Sequence, residues 1–220
     1  MRKPLKSRAV TEIIEQSKPE RLNRKSGKAA YVSESDLQIT ISNLKRKTAL
    51  RNEAVLLVSH FMGLRAKEMA ALKIGDLYDF RNGILKDTIR LLAAYTKGNK
   101  YREVFLMDSY TRKVLLDYIM SREDATPTAP LFLSQKQCAF TAGSMQRMIG
   151  RLYKSAGIVG SSHSGRRSFA TRLIRGGVDI YSIQQLMGHS SITTTQEYFA
   201  SDPNVLKEKV SKLSQGFSNL

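Results

Sequence analysis

The sequence has little of several residue types, and each shortage excludes a class of protein. Its single cysteine, Cys138, cannot form an internal disulfide, which fits a reducing cytoplasm. With one cysteine and three histidines, the chain cannot assemble the usual zinc cluster, and no metal is expected. It also lacks a Gly-rich loop ending in Lys-Ser or Lys-Thr, so no nucleotide cofactor is expected either.

Long apolar runs are absent as well. No stretch reaches the roughly 18 apolar residues that a membrane-spanning helix needs. The basic opening segment, MRKPLKSRAVTEIIEQ, has no apolar centre of the kind found in secretory signals. We therefore expect no membrane association and a cytoplasmic location.

Positive charge, by contrast, is in excess. The 36 Lys and Arg against 19 Asp and Glu give a formal charge of +17, which repels itself in a compact fold. A polyanionic partner is the simplest explanation. Nucleic acid ranks above a membrane surface, because each neutralised phosphate releases counterions and strengthens binding without any particular base sequence.

Charge and length together predict the domain organisation. Residues 1–30 hold nine Lys or Arg against three Glu, with few apolar residues, and are predicted to be a flexible basic arm. The remaining length suits one core, which we place at residues 31–202. Residues 203–220 are predicted to be a C-terminal helix and tail.

The apolar spacing predicts a mainly helical α+β domain with a small antiparallel sheet. A capping box begins the first helix at Ser33, and a second helix should end near Gly63. Two strands are expected between Ile84 and Met107, joined by a tight turn at Gly98-Asn99. Further helices are predicted over residues 114–119 and 145–156, in three short pieces after His163, and over residues 205–213.

One segment is suited to hold an anion. His163 and Arg166 are spaced i, i+3 at a predicted helix start, where free backbone N–H groups favour negative charge. Taken singly, basic residues in this chain carry little information, since Arg166 is one of 36. The surrounding motifs carry more.

Five segments, in order, resemble the motifs of the tyrosine recombinase, or phage integrase, family. They are Gly63-Leu64-Arg65-Ala66-Lys67-Glu68, the turn Lys97-Gly98-Asn99-Lys100, His163-x-x-Arg166, Leu186-Met187-Gly188-His189, and Tyr198 nine residues later. The likeness covers roughly residues 33–200 and implies a catalytic domain that breaks and rejoins DNA through a 3′-phosphotyrosyl link, in integration, excision, inversion or resolution. The catalytic residues it implies are Arg65, Lys97, His163, Arg166, His189 and Tyr198.

The resemblance also implies roles for these residues. Arg65 and Arg166 would clamp the scissile phosphate, while His163 and His189 would hydrogen-bond it or carry the proton of Tyr198. Lys97 would protonate the departing 5′ oxygen, with Lys100 as the alternative. Glu68 would orient the catalytic side chains without contacting the phosphate itself.

By the same resemblance, the partners of the chain would be double-stranded DNA and three further protomers on paired sites, and the protein would be associated with the nucleoid when bound to DNA. Whether it is a monomer without DNA is left open. The C-terminal segment 205–213 would pack either on its own domain or on the next protomer. With only about 30 residues before the catalytic domain, the chain resembles the short recombinases that invert fimbrial promoters.

Some features depart from the family pattern or leave alternatives. Gly165 stands where a larger apolar residue is common, and Arg167 where histidine often follows. The polar run at residues 190–195 predicts a marginal helix, able to move Tyr198. A type IB topoisomerase and a DNA-binding protein without chemistry remain the rival hypotheses.

Overall fold

The computed structural model describes residues 29–45, 47–92, 101–199 and 211. The predicted α+β fold is confirmed, with helices predominant and two small antiparallel sheets. In chain order the described elements are α1 (Glu34–Ser42), α2 (Ala49–Phe61), α3 (Ala66–Ala71), α4 (Ile74–Leu77), β1 (Tyr78–Asp79), β2 (Ile84–Leu85), β3 (Thr88–Leu91), β4 (Arg102–Phe105), α5 (Ser109–Met120), α6 (Ala142–Ser155), α7 (Ser164–Arg175), α8 (Ile180–Met187) and α9 (Ile192–Phe199).

Local chemistry fixes the ends of several helices where the sequence predicts them. The capping box of α1 is present, with Asp36 N–H donating to Ser33 Oγ and Ser33 N–H donating to the Asp36 carboxylate. Asp179 caps α8 through two backbone N–H groups. Helix α2 ends before Gly63, whose φ of 63° suits glycine.

The sheets differ in one respect from the prediction. Strands β3 and β4 form the expected antiparallel pair, in register from Thr88 opposite Phe105 to Leu91 opposite Arg102. Residues Ile84 and Leu85, however, pair with Tyr78 and Asp79 in a separate two-stranded sheet. These two-residue strands carry too little alternation to be recognised from the sequence.

The apolar interior consists of two clusters that meet at α7. The larger cluster is built from α1 to α6 and the strands, and the smaller one joins Ala170, Ile174, Ile183 and Met187 from α7 and α8. Helix α7 packs against α2 of the larger cluster and against both α8 and α9. It therefore connects the end of the chain that carries Tyr198 to the rest of the domain.

Several predicted features lie outside the described residues. They include most of the arm (1–28), the turn with Lys97 and Lys100 (93–100), and all but Ser211 of the segment 205–213. Residues 29–33 are described and lie along α7, where the buried Ser168 hydroxyl accepts from Val32 N–H at 3.0 Å and donates to Val32 O at 2.7 Å. In the described part of the chain, no helix is both long and apolar enough to cross a membrane.

Candidate active site

The first predicted site residues meet at the start of α3. Arg65 precedes the helix in extended conformation, and its backbone N–H donates to Glu68 Oε2 at 2.7 Å. Its Nη1 donates to Glu68 Oε1 at 2.9 Å. Glu68 is fully buried, whereas about a quarter of the Arg65 side chain remains exposed. Glu68 thus fixes the arginine and leaves part of its guanidinium accessible.

A second arginine, which the sequence motifs did not indicate, pairs with the same carboxylate. Arg102 lies in β4 and is 8% exposed; its Nη2 donates to Glu68 Oε2 at 2.6 Å and its Nε to Oε1 at 3.4 Å. Burial raises the pKa of Glu68, but the charge and hydrogen bonds of Arg102, with the backbone N–H of Arg65, outweigh burial and lower it overall. The carboxylate is therefore ionised inside the protein.

Arg166 lies on the buried side of α7, only 4% exposed. Its Nη1 donates to Gly63 O at 2.7 Å and its Nη2 donates to Met187 O. Burial, together with the charges of Arg65 and Arg102, lowers its pKa to about 9, so it stays positive at neutral pH. It links the end of α2 to the end of α8.

Three consecutive carbonyls at the end of α8 accept from these three arginines. Arg102 Nη1 donates to Leu186 O at 2.5 Å, Arg166 donates to Met187 O, and Arg65 Nη2 donates to Gly188 O at 3.1 Å. The last carbonyls of a helix have no partner within it and carry partial negative charge, which suits guanidinium donors. The turn that leads to His189 is thereby tied to both α3 and β4.

His189 is half-buried just after this turn and contacts α9. Its Nδ1 lies 2.9 Å from the hydroxyl oxygen of the buried Thr195, a residue that the motifs also missed. Its ring stacks on that of Tyr198. Burial, followed by the charges of Arg166, Arg65 and Arg102, lowers its pKa to about 4. The imidazole is neutral near pH 7 and able to accept a proton.

Tyr198 lies close enough to Arg166 to interact with it. It is half-buried on α9, and in its deprotonated form it would raise the pKa of Arg166. Four of the six predicted catalytic residues are therefore brought together: Arg65, Arg166, His189 and Tyr198.

The other two predicted catalytic residues are placed differently. His163 occupies the N-cap position of α7, but its side chain is exposed and makes no capping hydrogen bond within the described residues; its backbone N–H donates to Ser161 Oγ at 3.3 Å. The i, i+3 spacing with Arg166 is as expected, but Arg166 points inward to carbonyls while His163 stays at the surface. Lys97 and its alternative, Lys100, lie outside the described residues.

Both departures from the family pattern have local contacts that explain them. A Cβ at Gly165 would lie 2.4 Å from Ser59 Oγ and 3.0 Å from the Ser59 carbonyl carbon, so the close crossing of α2 and α7 requires glycine. Arg167 donates through Nη1 to Ala29 O at 2.8 Å, which ties residue 29 to the same helix.

An open cleft of about 900 Å³ lies beside these groups. Arg65, Arg102 and His189 line it, together with Arg90 of β3 and Tyr101, which directly precedes β4. The guanidinium of Arg90 stacks on the Tyr101 ring, 4.9 Å from its centroid. Cationic and aromatic groups beside several arginines suit an anionic ligand with flat bases.

Comparison with known proteins identifies the family. The profile of the phage integrase family matches residues 31–204. Tyrosine recombinase XerC of Pelobacter propionicus is 34% identical over 151 residues, covering 68% of this chain and 47% of its own length. Tyrosine recombinase XerA of Pyrococcus furiosus is 31% identical over 169 residues, covering 76% of this chain and 56% of its own length.

Solved structures give the same result. The XerA recombinase superposes with a TM-score of 0.66 at 31% identity, over 83% of this chain and 63% of its own. XerH bound to palindromic difH substrate, a post-cleavage complex, gives 0.64 at 26% identity, over 83% and 52%. The chain spans about half the length of the curated relatives that it matches. By its motifs, its fold and these matches, the chain belongs to the phage integrase family of tyrosine recombinases.

Proposed function

We propose that this chain is a site-specific recombinase that cleaves and rejoins DNA through a 3′-phosphotyrosyl intermediate. The observation that carries the proposal is the meeting of Arg65, Arg166, His189 and Tyr198 at the turn that ends α8, beside an open cleft. The relatives that the chain matches are tyrosine recombinases, and the solved XerH neighbour is bound to a palindromic difH substrate.

Tyr198 is the proposed nucleophile. A phenol with a pKa of about 10 is a weak nucleophile at neutral pH, so its proton must be removed as it attacks. His189 suits this task, because its depressed pKa keeps it neutral. The Thr195 hydroxyl engages Nδ1, so Nε2 is the nitrogen left for proton transfer.

Arg65 and Arg166 are the proposed phosphate clamp. Each guanidinium has five N–H donors, and within the described residues each donates two hydrogen bonds to protein oxygens. Their remaining donors suit the two non-bridging oxygens, on which charge builds during attack. Exposed His163 is free to add a hydrogen bond from the surface side.

The bonds balance without an energy source. The Tyr198 oxygen forms a bond to phosphorus as the bond to the 5′ oxygen breaks, and that oxygen takes a proton. Lys97 is the proposed donor, with Lys100 as the alternative. A 5′ hydroxyl from another strand then attacks the phosphotyrosyl bond, and the tyrosine leaves with its proton restored.

Duplex binding has support away from the cleft. Helix α6 presents an exposed row of Arg147, Arg151 and Lys154, and a Cβ at Gly150 beside it would meet nothing within 4 Å. A basic, unobstructed helix face suits phosphate contacts, and the formal charge of +17 agrees. We propose that the arm, residues 1–30, adds further phosphate contacts.

Strand exchange between two duplexes requires four cleavage events, so we propose a homotetramer on paired sites. We propose that the segment 203–220, beyond the catalytic domain proposed at 31–202, joins neighbouring protomers. The alternative for it is packing on its own domain.

The decisive experiment is covalent trapping. A duplex selected from a random pool by binding to the protein is nicked just 3′ of each candidate phosphate, so that cleavage releases a short 5′-hydroxyl fragment. A denaturant-resistant adduct is expected from the natural chain and not from Tyr198→Phe. Tyr181→Phe, at a 70% exposed tyrosine on α8, is the matched control and should form it.

The outcomes separate the rival functions. Tight binding without any adduct would favour a DNA-binding protein that does no chemistry. An adduct without strand transfer between two duplexes would favour a type IB topoisomerase.

A further inference from the structure

Arg102 is a buried charge that the proposed chemistry leaves without a role. It occupies an inward-facing position of β4, where the next inward residue is Val104. A charged group in such a position is costly unless its donors are well paired. Arg102 meets this condition through two partners from different parts of the fold.

The first partner is Glu68 and the second is the turn after α8. Arg102 reaches both carboxylate oxygens of Glu68 and also donates to Leu186 O. Its aliphatic stem lies against Gly188 so closely that a Cβ there would be 2.5 Å from Arg102 Cδ. One side chain therefore joins α3, β4 and the turn that leads to His189.

Arg65 depends on the same two partners. It is held by Glu68 on one side and by Gly188 O on the other, and Arg102 also packs against both of these residues. If Arg102 were absent, the carboxylate would lose its nearest counter-charge, which lies at 2.6 Å, and the turn would lose one of its three arginine donors. Arg65 and His189 would then no longer be held in a fixed position relative to each other.

We propose that Arg102 is a positioning residue of the active site, which aligns Arg65 and His189 on one phosphate by fixing Glu68 and the Leu186–Gly188 turn. This inference rests on the proposed recombinase function. Arg102 also adds positive charge beside His189, where the other facing charges are those of Arg65 and Arg166. We therefore expect the pKa of His189 to rise when the charge of Arg102 is removed.

The test compares Arg102→Met with a control of equal burial. Arg122 has the same side-chain exposure, 6%, pairs with Asp124 and donates to the carbonyls of Pro130 and Leu131, away from the cleft. At saturating nicked DNA, Arg102→Met should slow single-turnover adduct formation by roughly ten- to a hundredfold, the scale of a misplaced catalytic group. Arg122→Met should change it by less than about threefold, with the DNA dissociation constant unchanged in both.

A double-mutant cycle identifies the route. If Arg102 acts through Glu68, then Glu68→Gln combined with Arg102→Met should cleave about as slowly as the slower single variant, because both break one linkage. The double variant also removes the unpaired buried carboxylate charge, so it serves as the test if Arg102→Met does not fold. Arg102→Lys keeps the charge but not the fork, and should recover only part of the rate.

A second readout follows the His189 ring by NMR titration. In Arg102→Met its pKa should rise above that of the natural chain, and in Arg102→Lys it should change little. The inference would be overturned if Arg102→Met cleaved within about threefold of the rate of the natural chain. It would also be overturned if the rate losses of Arg102→Met and Glu68→Gln multiplied in the double variant. If the natural chain itself forms no adduct, the proposed function fails, and an unchanged His189 titration would then sink the positioning role separately.

Discussion

The imidazole ring of His189 lies parallel to the phenol ring of Tyr198, with the ring centroids 5.8 Å apart and the planes inclined by 9°. Thr195, three residues before Tyr198, contacts the same imidazole through its hydroxyl. Positions i and i+3 share one face of a helix, so α9 holds His189 at two points. Any movement that withdraws Tyr198 therefore also releases the ring proposed to take its proton.

Replacing Thr195 by valine tests this coupling. The substitution keeps the branched shape but removes the oxygen that engages Nδ1, so the imidazole loses its fixed tautomer and orientation. We expect adduct formation at saturating DNA to slow by roughly tenfold, part of the 10² to 10⁴ that a positioned acid or base contributes. Thr194→Val, at the adjacent exposed threonine, should leave the rate unchanged. Equal rates for the two variants would mean that the hydroxyl does not orient His189.

Replacing Gly188 by alanine tests the packing of the turn. Gly188 has a φ of 59°, and an added Cβ would meet Arg102 Cδ at 2.5 Å. Gly157 is the matched control, because its φ is 73° and its Cβ would meet nothing within 4 Å. Both variants should lose about 1–2 kcal/mol for the left-handed backbone.

Gly188→Ala should lose about 1–3 kcal/mol more, the usual range for overpacking. Urea unfolding at neutral pH measures both free energies of unfolding. Equal losses at the two positions would show that the Arg102 stem moves aside at no cost.

These residues show what a sequence can and cannot predict. The motif glycine and histidine at 188 and 189, and the caps at Ser33 and Asp179, are local features, because a helix end is determined by a few neighbouring residues. Arg102 and Glu68 are 34 positions apart, and only the fold brings them together. The one available signal for this pair was an arginine at a position of a predicted strand that faces the core. A charged side chain at such a position is expected to have a buried carboxylate partner.

The sequence also did not reveal which of the predicted site residues are exposed to solvent. His163 and Arg166 share a motif and a helix start, yet one is exposed and the other is 4% exposed. The difference arises from the packing of α7 on α2, where Gly165 allows close approach to Ser59. No pattern within α7 specifies how near α2 will lie.

The pH dependence of stability should reflect two histidines held neutral. Burial, with the charge of Arg172, lowers the pKa of His60 to about 3, and His189 lies at about 4. In the unfolded chain both titrate near pH 6.5, so below that pH the unfolded state binds more protons. Stability is therefore greatest above about pH 6.5 and falls as the pH drops toward 4 and then 3.

His60 allows its own share to be separated. It is 1% exposed, and within the described residues neither ring nitrogen has a hydrogen-bond partner. His60→Leu should therefore keep the stability at neutral pH and remove up to about 1.4 kcal/mol of loss for each pH unit below about 6.5. His163→Leu, at an exposed histidine, is the control for removing an imidazole. Urea unfolding from neutral pH to about pH 5 decides, and an unaltered slope in His60→Leu would contradict the assignment.

Helix α9 is expected to be among the least stable elements of the domain. It has eight residues, four of which are β-branched (Ile192, Thr193, Thr194 and Thr195), and only Thr195 is buried. Helix α6, in contrast, has 14 residues and buries Met145, Met148, Ile149 and Tyr153. Local opening costs less where little apolar surface is covered.

Amide hydrogen exchange should therefore be faster over Ile192–Phe199 than over Ala142–Ser155 in the free protein. Adding DNA that supports adduct formation should slow exchange in α9, because the phosphate brings Tyr198, His189 and the arginines into one set of contacts, whereas α6 has little protection left to gain in its interior. Exchange in α9 as slow as in α6 before DNA is added would contradict the marginal helix. If DNA leaves the exchange in α9 unchanged, then substrate binding does not order the helix that carries Tyr198.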